Sequence, residues 1–340
     1  MGEAIEKEDA MNQDERQKFW DVLLSMHDTE PEHIQALHEM ISVPHTLCRF
    51  RSVNESSLTQ LQENKLYFSS ADYYDDLFDT YFYLDYDMME TQMGNIIALL
   101  GTPENRKTAV KLVSSLGIPP ESVQKSLDTA LQNPMTVETF KSSVKSARDQ
   151  VLKTLYSICF CENPLNETLW LKYADNHRGF VVTYDFHSND TYLCGKEDKC
   201  KNCPTIQLRL SIYPIYYSDD KYDASLYAVA VLLKISMMAS GISAPQELAT
   251  RLDSCMLWEI ERISLLKKAC HRFDEEWRMI CPQWCVARPC IRLKPKSVII
   301  GLRTPQYKER LIISAATIAG ITDIQKIQIN KKDELEAIPV

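Results

Sequence analysis

Three stretches of this chain concentrate side chains able to do chemistry. The first is Leu47-Cys48-Arg49-Phe50-Arg51, followed by LYFSSADYYDDLFD at 66–79. Two arginines two apart on a strand project to one face, where they either grip a phosphate or carboxylate bidentately or sit as solvated edge-strand charges. Asp75, Asp76 and Asp79 stand beside Tyr73, Tyr74 and Phe78 at a strand exit. Carboxylates clustered there hold Mg²⁺, cap a helix or orient an arginine, the last two being the commoner uses.

The second stretch, SICFCENPLNETLWLKYADNHRGFVVTYD at 157–185, carries His177-Arg178-Gly179 at a helix exit. Gly179 is expected to be the left-handed cap residue, and His177 reads either as a polar site residue or as a helix-end group complementing the dipole. Trp170 and Tyr173 are spaced to share a helix face, with core packing expected for at least one. The third stretch is HRFDEEWRMI at 271–280. On a strand, Asp274, Glu276 and Arg278 face one way, and Phe273, Glu275, Trp277 and Met279 the other. Two carboxylates and a guanidinium in a row suit a cleft where an acid is kept ionised by a neighbouring cation; a structural ion-pair ladder has the same pattern. Cys194, Cys200 and Cys203 in LCGKEDKCKNCP, with Cys281, Cys285, Cys290 or His187 as a fourth ligand, could bind a structural zinc. The spacing is irregular, so zinc is not the expected outcome, and no other metal ligands are assigned.

These side chains need a frame. Residues 1–43 read as a helical extension with two short amphipathic helices. Residues 44–340 read as a single α+β domain, a mixed sheet core with helical insertions at about 85–153 and 222–268. Its predicted strands lie at 47–51, 66–69, 154–161, 179–185, 206–217, 273–281, 297–301 and 324–329, with a helix at 305–319 before the last. The apolar run 224–242, broken by Lys234, predicts a buried helix of a soluble domain rather than a membrane span.

Composition narrows the chemistry further. With 38 Lys and Arg against 47 Asp and Glu, the net charge is −9, which disfavours a phosphate-tracking surface over the whole protein but not a local basic site. Nine glycines in 340 residues, no two within six positions, remove the phosphate-cradling P-loop and the dinucleotide fingerprint, which need closely spaced glycines. Eleven cysteines and the acidic start MGEAIEKEDAMNQDER, without a secretory or transit pattern, predict a cytoplasmic protein.

Taken in order, LCRFRS, LYFSSADYYDDLFD, CFCE, LWLKYADNHRGF and DEEWRMI, with KPKSVIIGL in the tail, resemble the bacterial family known as domain of unknown function 2971. The resemblance runs from about Leu47 to the carboxyl end. The chain departs from the family pattern at Ala71 and Leu77 (proline in the family), Asp75 (asparagine), His271 (tryptophan) and Asp274 (glutamate).

The family name carries no function. The order of elements, an arginine strand, a short helix, a strand with Tyr and Ser, and a late acid-x-Glu strand, is similar to that of the ADP-ribosyltransferases, by analogy rather than motif identity. That similarity implies an NAD-dependent transferase, of a bacterial defence or toxin system, with NAD as substrate and a protein or nucleic acid as acceptor. It implies that Arg49 or Arg51 contacts the pyrophosphate and that Tyr67 and Ser69 line the nicotinamide pocket. Glu276 would be the catalytic carboxylate and Asp274 would orient the acceptor, with His177 and Trp170 as the opposing wall. Two other readings stay open: a metal-dependent hydrolase or nuclease using Asp75, Asp76, Asp79 and Glu276 with His177 as base, and a non-catalytic sensor or binding domain lacking any pocket between the Arg49 and Glu276 strands.

Overall fold

A computed structural model describes residues 11–81, 83–115, 117–132, 137–186, 193–194, 212–239, 245–282 and 289–340. The architecture is mixed α+β, as the pattern predicts. Helices α1 (Gln13–Ser25) and α2 (Pro31–Glu39) precede β1 (Thr46–Arg51). A capping box at Asn54 starts α3 (Glu55–Gln62), and β2 (Lys65–Tyr67) and β3 (Ser69–Ser70) follow. The first insertion holds α4 (Tyr86–Leu100), α5 (Pro103–Ser114), α6 (Pro120–Gln132) and α7 (Val137–Thr154). Next come β4 (Leu155–Cys161), α8 (Glu167–Lys172), β5 (Phe180–Asp185), β6 (Leu193–Cys194), β7 (Ile212–Pro214) and β8 (Tyr216–Tyr217). The second insertion is α9 (Ser225–Ala239) and α10 (Gln246–Leu265), followed by β9 (Leu266–Lys267), a 3-10 turn at Ala269–Asp274, β10 (Glu276–Pro282) and β11 (Cys290–Arg292). The chain closes with β12 (Pro295–Ile300), α11 (Gln306–Ile318), β13 (Asp323–Ile329) and β14 (Leu335–Pro339).

The main sheet has nine strands in the order β14-β13-β12-β5-β1-β4-β10-β7, with β3 paired to β4 beside this path. Its β12–β13 pair is parallel and is bridged by α11, as a parallel connection requires. Alternation along β1, β4 and β10 sends Leu47, Phe160, Trp277 and Met279 into the larger core and Cys48, Phe50 and Cys161 into a smaller one beneath α8 with Trp170.

The two amino-terminal helices are built into that larger core. Phe19, Trp20 and Leu23 of α1 are buried there with Trp277 and Phe160. The carbonyls at the end of α1, which has no basic residue in its last turn, are met from α10 by Arg262, donating to Leu23 O (3.0 Å), Leu24 O (3.1 Å) and Met26 O. Arg16 reaches the other way, its Nη1 donating to Ile215 O (2.8 Å) and Glu276 O (3.3 Å) and its Nη2 to Glu162 Oε1 (2.6 Å).

Several expectations need correction. The stretch 66–69 is not one strand: β2 joins a three-stranded sheet with β11 and β6, whereas β3 joins the main sheet. The strand expected from 273 begins at Glu276, because Phe273 and Asp274 belong to the 3-10 turn and Glu275 is left-handed (φ 45°). Within the apolar run 224–242, Ser225–Ala239 forms α9, but Leu226, Val229 and Leu233 are exposed, so the helix is buried on one side only. Of the stretch 206–217, residues 206–211 lie outside the described residues, as do Cys200, Cys203, Cys285 and His187 of the zinc expectation.

Candidate functional site

The sheet contains a gap, and the gap makes the site. Along one edge β4 pairs with β10 over its whole length, Leu155 to Cys161 against Pro282 to Glu276. Along the other edge it meets β1 at Cys48↔Cys161 and β3 at Ser69↔Ser157 and Ser70↔Tyr156. Between these two contacts, residues 158–160 face no partner strand among the described residues. A cavity of about 250 Å³ opens there. Arg49 and Phe50 wall it from β1, Ser157 and Cys159 from β4, Tyr173 from the end of α8, and Asp274, Glu276 and Arg278 from the far side. Ser69, Tyr73, Tyr74, Asp75, Asp76 and Asp79 complete the lining from β3 and the turns after it.

One wall is an ion network. Arg278, 1% exposed, clamps Asp79 with both terminal nitrogens (2.8 and 2.9 Å) and donates to Glu276 Oε1 from Nε (3.0 Å) and Nη2 (2.6 Å) and to Ser264 O from Nη1 (2.7 Å). Lys267 donates to Glu276 Oε2 and Asp274 Oδ2, both at 2.8 Å, and lies 4.0 Å from Asp79. The left-handed Glu275 lets Asp274 and Glu276 both reach Lys267 although only Glu276 is on the strand. Burial alone would raise the Glu276 pKa; Arg278 and Lys267 overcome it and hold the carboxylate ionised well below its usual range. Lys267 is shifted the other way: burial opposes its charge, but Glu276, Asp79 and Asp274 keep it protonated. Three carboxylates against two cations leave this wall with a net charge of −1.

The opposite wall carries a cation without a carboxylate. The Arg49 guanidinium lies 5.8 Å over the Phe160 ring, and its Nη1 is buried with no hydrogen-bond partner among the described residues. Burial lowers its pKa, with only Tyr184, Cys159 and Tyr74 opposing. Between the walls, the Tyr74 hydroxyl and Ser157 Oγ are hydrogen-bonded to each other, and burial pushes the Cys159 thiol up to about 12, so it is a thiol rather than a nucleophilic thiolate.

Of the eight residues given roles by the transferase resemblance, Arg49, Ser69, Asp274 and Glu276 share this cavity, and four do not line it. Arg51 donates to Gln60 Oε1 (2.8 Å), and burial, then the nearby Arg49, lowers its pKa to about 10. Tyr67 pairs with Cys290 in the smaller sheet. Trp170 is fully buried, in a T-shaped contact with Phe50 (5.4 Å, 88°) and stacked with His177 (5.7 Å, 7°). They stand behind the wall that Phe50, Leu169 and Tyr173 form. Burial first and Arg303 second lower the His177 pKa, which favours its neutral form.

The turn that holds His177 also corrects the role of Gly179. Asp175, Asn176 and His177 are the left-handed residues (φ 49°, 52°, 64°), and Asp, Asn and His are the non-glycine types that enter that region most readily. Gly179 is needed for close approach instead: a Cβ there would lie 2.2 Å from Arg51 O. Gly179→Ala is therefore expected to pry β5 from β1 and lower stability by at least about 3 kcal/mol in urea unfolding. Gly320→Ala, left-handed but in open space, should cost only about 1 kcal/mol. Equal losses in the two variants would reject the close-packing account.

Sequence reasoning assigned no role to Tyr74, Ser157 and Cys159, which line the cavity, or to Lys267, which holds the lining carboxylates Asp274 and Glu276. Asp75, Asp76, Asp79 and Glu276 do converge on the cavity, but His177, their expected base, does not. The oxygens of Asp79 and Glu276 are directed at Arg278 and Lys267, and no group of three or more His, Cys, Asp or Glu suited to a metal occurs among the described residues. No helix among them is long and apolar enough to cross a membrane. Compared with family models, with curated proteins and with solved structures, the chain finds no match in any of the three.

Proposed function

We propose that the cleft between β1 and β4 binds NAD and that the protein is an ADP-ribosyltransferase-like enzyme of the family it resembles in sequence. The observation that carries this reading is one cavity bordered by the unpaired guanidinium of Arg49 and, across from it, the ionised carboxylate of Glu276. Pockets for drug-sized ligands run from roughly 300 to 1,000 Å³. At about 250 Å³ the enclosed space suits a nucleoside-sized part of the dinucleotide, with the remainder lying along the open mouth.

The chemistry NAD supplies is a glycosidic bond whose cleavage releases nicotinamide and leaves positive charge on the ribose. This chain's part is to hold a phosphate against Arg49 and to present the net-negative wall of Glu276, Asp274 and Asp79 to that charge, preorganised by Lys267 and Arg278. A second reading, binding without chemistry, draws support from one fact: both Glu276 oxygens already accept hydrogen bonds from cations. With the Cys159 thiol as a further hydrogen-bond partner, the roughly four acceptor positions of the carboxylate are engaged, so in the first reading Glu276 acts through its charge rather than by accepting from the substrate.

Binding is tested first. Arg49→Met should weaken NAD binding by roughly ten- to a hundredfold, the worth of a charge-assisted hydrogen bond, and Arg51→Met by less than about threefold. Because Arg49 Nη1 is buried and the guanidinium has no carboxylate partner among the described residues, its replacement by Met should also raise thermal stability. Equilibrium dialysis with labelled NAD and a melting curve read both; unchanged NAD affinity in Arg49→Met would overturn the proposal.

A further inference from the structure

Three cysteines line the cleft, Cys48 from β1 and Cys159 and Cys161 from β4, and none has a part in the proposed transfer. All three are free thiols. Cys48 and Cys161 stand directly opposite each other where β1 meets β4, in the same small core beneath α8. Cys48 Sγ donates to Cys161 O at 3.2 Å, and Cys161 Sγ donates to Asn163 O at 3.5 Å. The two thiols also meet each other: burial first, and a hydrogen bond with the Cys48 thiol second, raise the Cys161 pKa. Cys159 is set apart. Two residues along a strand from Cys161 and diagonal to Cys48, its Cβ lies roughly 6.5–7 Å from either, beyond the roughly 4.5 Å that a disulfide allows.

The opposed pair is near disulfide geometry without having reached it. Directly opposed residues hold their Cβ atoms roughly 4.5–5.5 Å apart and a disulfide needs about 3.5–4.5 Å, so the strands must draw together by up to about 1 Å. The sheet has the freedom to do so here, because residues 158–160, next to Cys161, face no partner strand on that edge among the described residues. The bond is then strained, and a strained disulfide is readily reduced. We infer that Cys48 and Cys161 are an oxidation site, a reversible redox clasp whose disulfide ties β1 to β4 at the end of the sheet gap. With Cys48 1% and Cys161 4% exposed, the oxidant has to be small enough to enter by the cleft, and hydrogen peroxide is of that class. One sulfur attacks a peroxide oxygen, the O–O bond breaks and water leaves, giving a sulfenic acid. The second sulfur attacks the first, the S–O bond breaks, and the hydroxide leaves as water with the remaining thiol proton. Two thiols are oxidised to one disulfide, and one peroxide is reduced to two waters.

The clasp does not depend on the NAD reading, and its test uses no NAD. The full, reduced chain is treated with hydrogen peroxide, its remaining thiols are blocked with iodoacetamide in urea, and an unreduced digest is analysed by mass spectrometry. A cross-linked peptide joining Cys48 to Cys161 is expected, lighter by two hydrogens than its two parts and lost on incubation of the oxidised protein with excess reduced glutathione. Cys159→Ser should give the same product, and Cys48→Ser should not. Because the bond spans 113 positions of chain, peroxide should raise the melting temperature of the wild type by at least about 3 °C. Cys48→Ser should show no such rise. Should that variant fail to fold, Cys161→Ser takes its place, and the wild-type cross-link map decides on its own. Recovery of Cys48 and Cys161 as separate alkylated or singly oxidised residues, a link from either to a different cysteine, a cross-link that forms only when peroxide is added in urea, or a melting rise retained in Cys48→Ser would overturn the inference.

Discussion

Glu276→Gln is expected to abolish most ADP-ribosyl transfer from NAD, by about two to three orders of magnitude in kcat, the usual loss when one preorganised electrostatic partner of a transition state is removed. NAD affinity should stay within about threefold of wild type, because the proposed phosphate contact is on Arg49 and not on Glu276. The reasoning is one of charge. With Glu276 the far wall holds three carboxylates and two cations; with glutamine it holds two of each, and the net negative charge of that wall, proposed to face the sugar, is gone. The variant also leaves Lys267 or Arg278 short of an acceptor, since an amide cannot accept at both of its atoms. A stability loss of about 3 kcal/mol is therefore expected and must be measured alongside. Transfer, or NAD hydrolysis where no acceptor is present, is assayed with labelled NAD on protein shown by circular dichroism to be folded. A folded Glu276→Gln that turns NAD over at the wild-type rate would sink the catalytic reading and leave binding alone.

How far this site was legible from sequence depends on which kind of signal each residue gives. Arg49 and Glu276 are legible because period-two alternation in LCRFR and DEEWR marks them as strand residues on a defined face. Asp274 was placed on the right side for an incomplete reason: it precedes the strand, and only the left-handed Glu275, which no residue type there announces, carries it round to Lys267. Lys267 itself gives no signal, since a lysine in Leu-Leu-Lys-Lys reads as solvated, and its burial depends on three carboxylates brought from elsewhere. His177 and Trp170 misled because polar and aromatic residues in a tight motif look like a site. Their stacking on one another, behind Phe50, requires the αL turn that Asp175, Asn176 and His177 form together. The gap in the sheet was invisible, because strand patterns show which residues pair outward or inward but not where a neighbouring strand stops. The fold class and most strand positions came through because they rest on local periodicity alone.

The replacement of Arg278 should be the most damaging single change to stability, and its pH dependence should run opposite to that of the wild type. Arg278→Met keeps the volume and removes five hydrogen bonds, to Asp79, Glu276 and Ser264 O, leaving Lys267 alone with three buried carboxylates. Breaking a buried pair from one side costs about 3–5 kcal/mol, and here two carboxylates lose their partner at once, so the upper end is expected at pH 7. In the wild type the Glu276 pKa is lower in the folded than in the unfolded protein, where it is near 4.5; its contribution is present above 4.5 and lost as pH falls toward the folded value. In Arg278→Met the largest downward pull on Glu276 is gone, Lys267 is left to serve three carboxylates, and burial still pushes upward, so the folded pKa should rise above 4.5. The folded variant then binds more protons than the unfolded one between 4.5 and the new value, and acid stabilises it relative to pH 7. Urea unfolding at pH 5 and pH 7 decides the matter, with the variant expected to gain on acidification by up to about 1.4 kcal/mol per pH unit per carboxylate. A constant stability gap between the two proteins at both pH values would mean that Glu276 does not depend on Arg278 for its charge. The ion network would then be scaffolding rather than the device that keeps an acid ionised at the cleft wall.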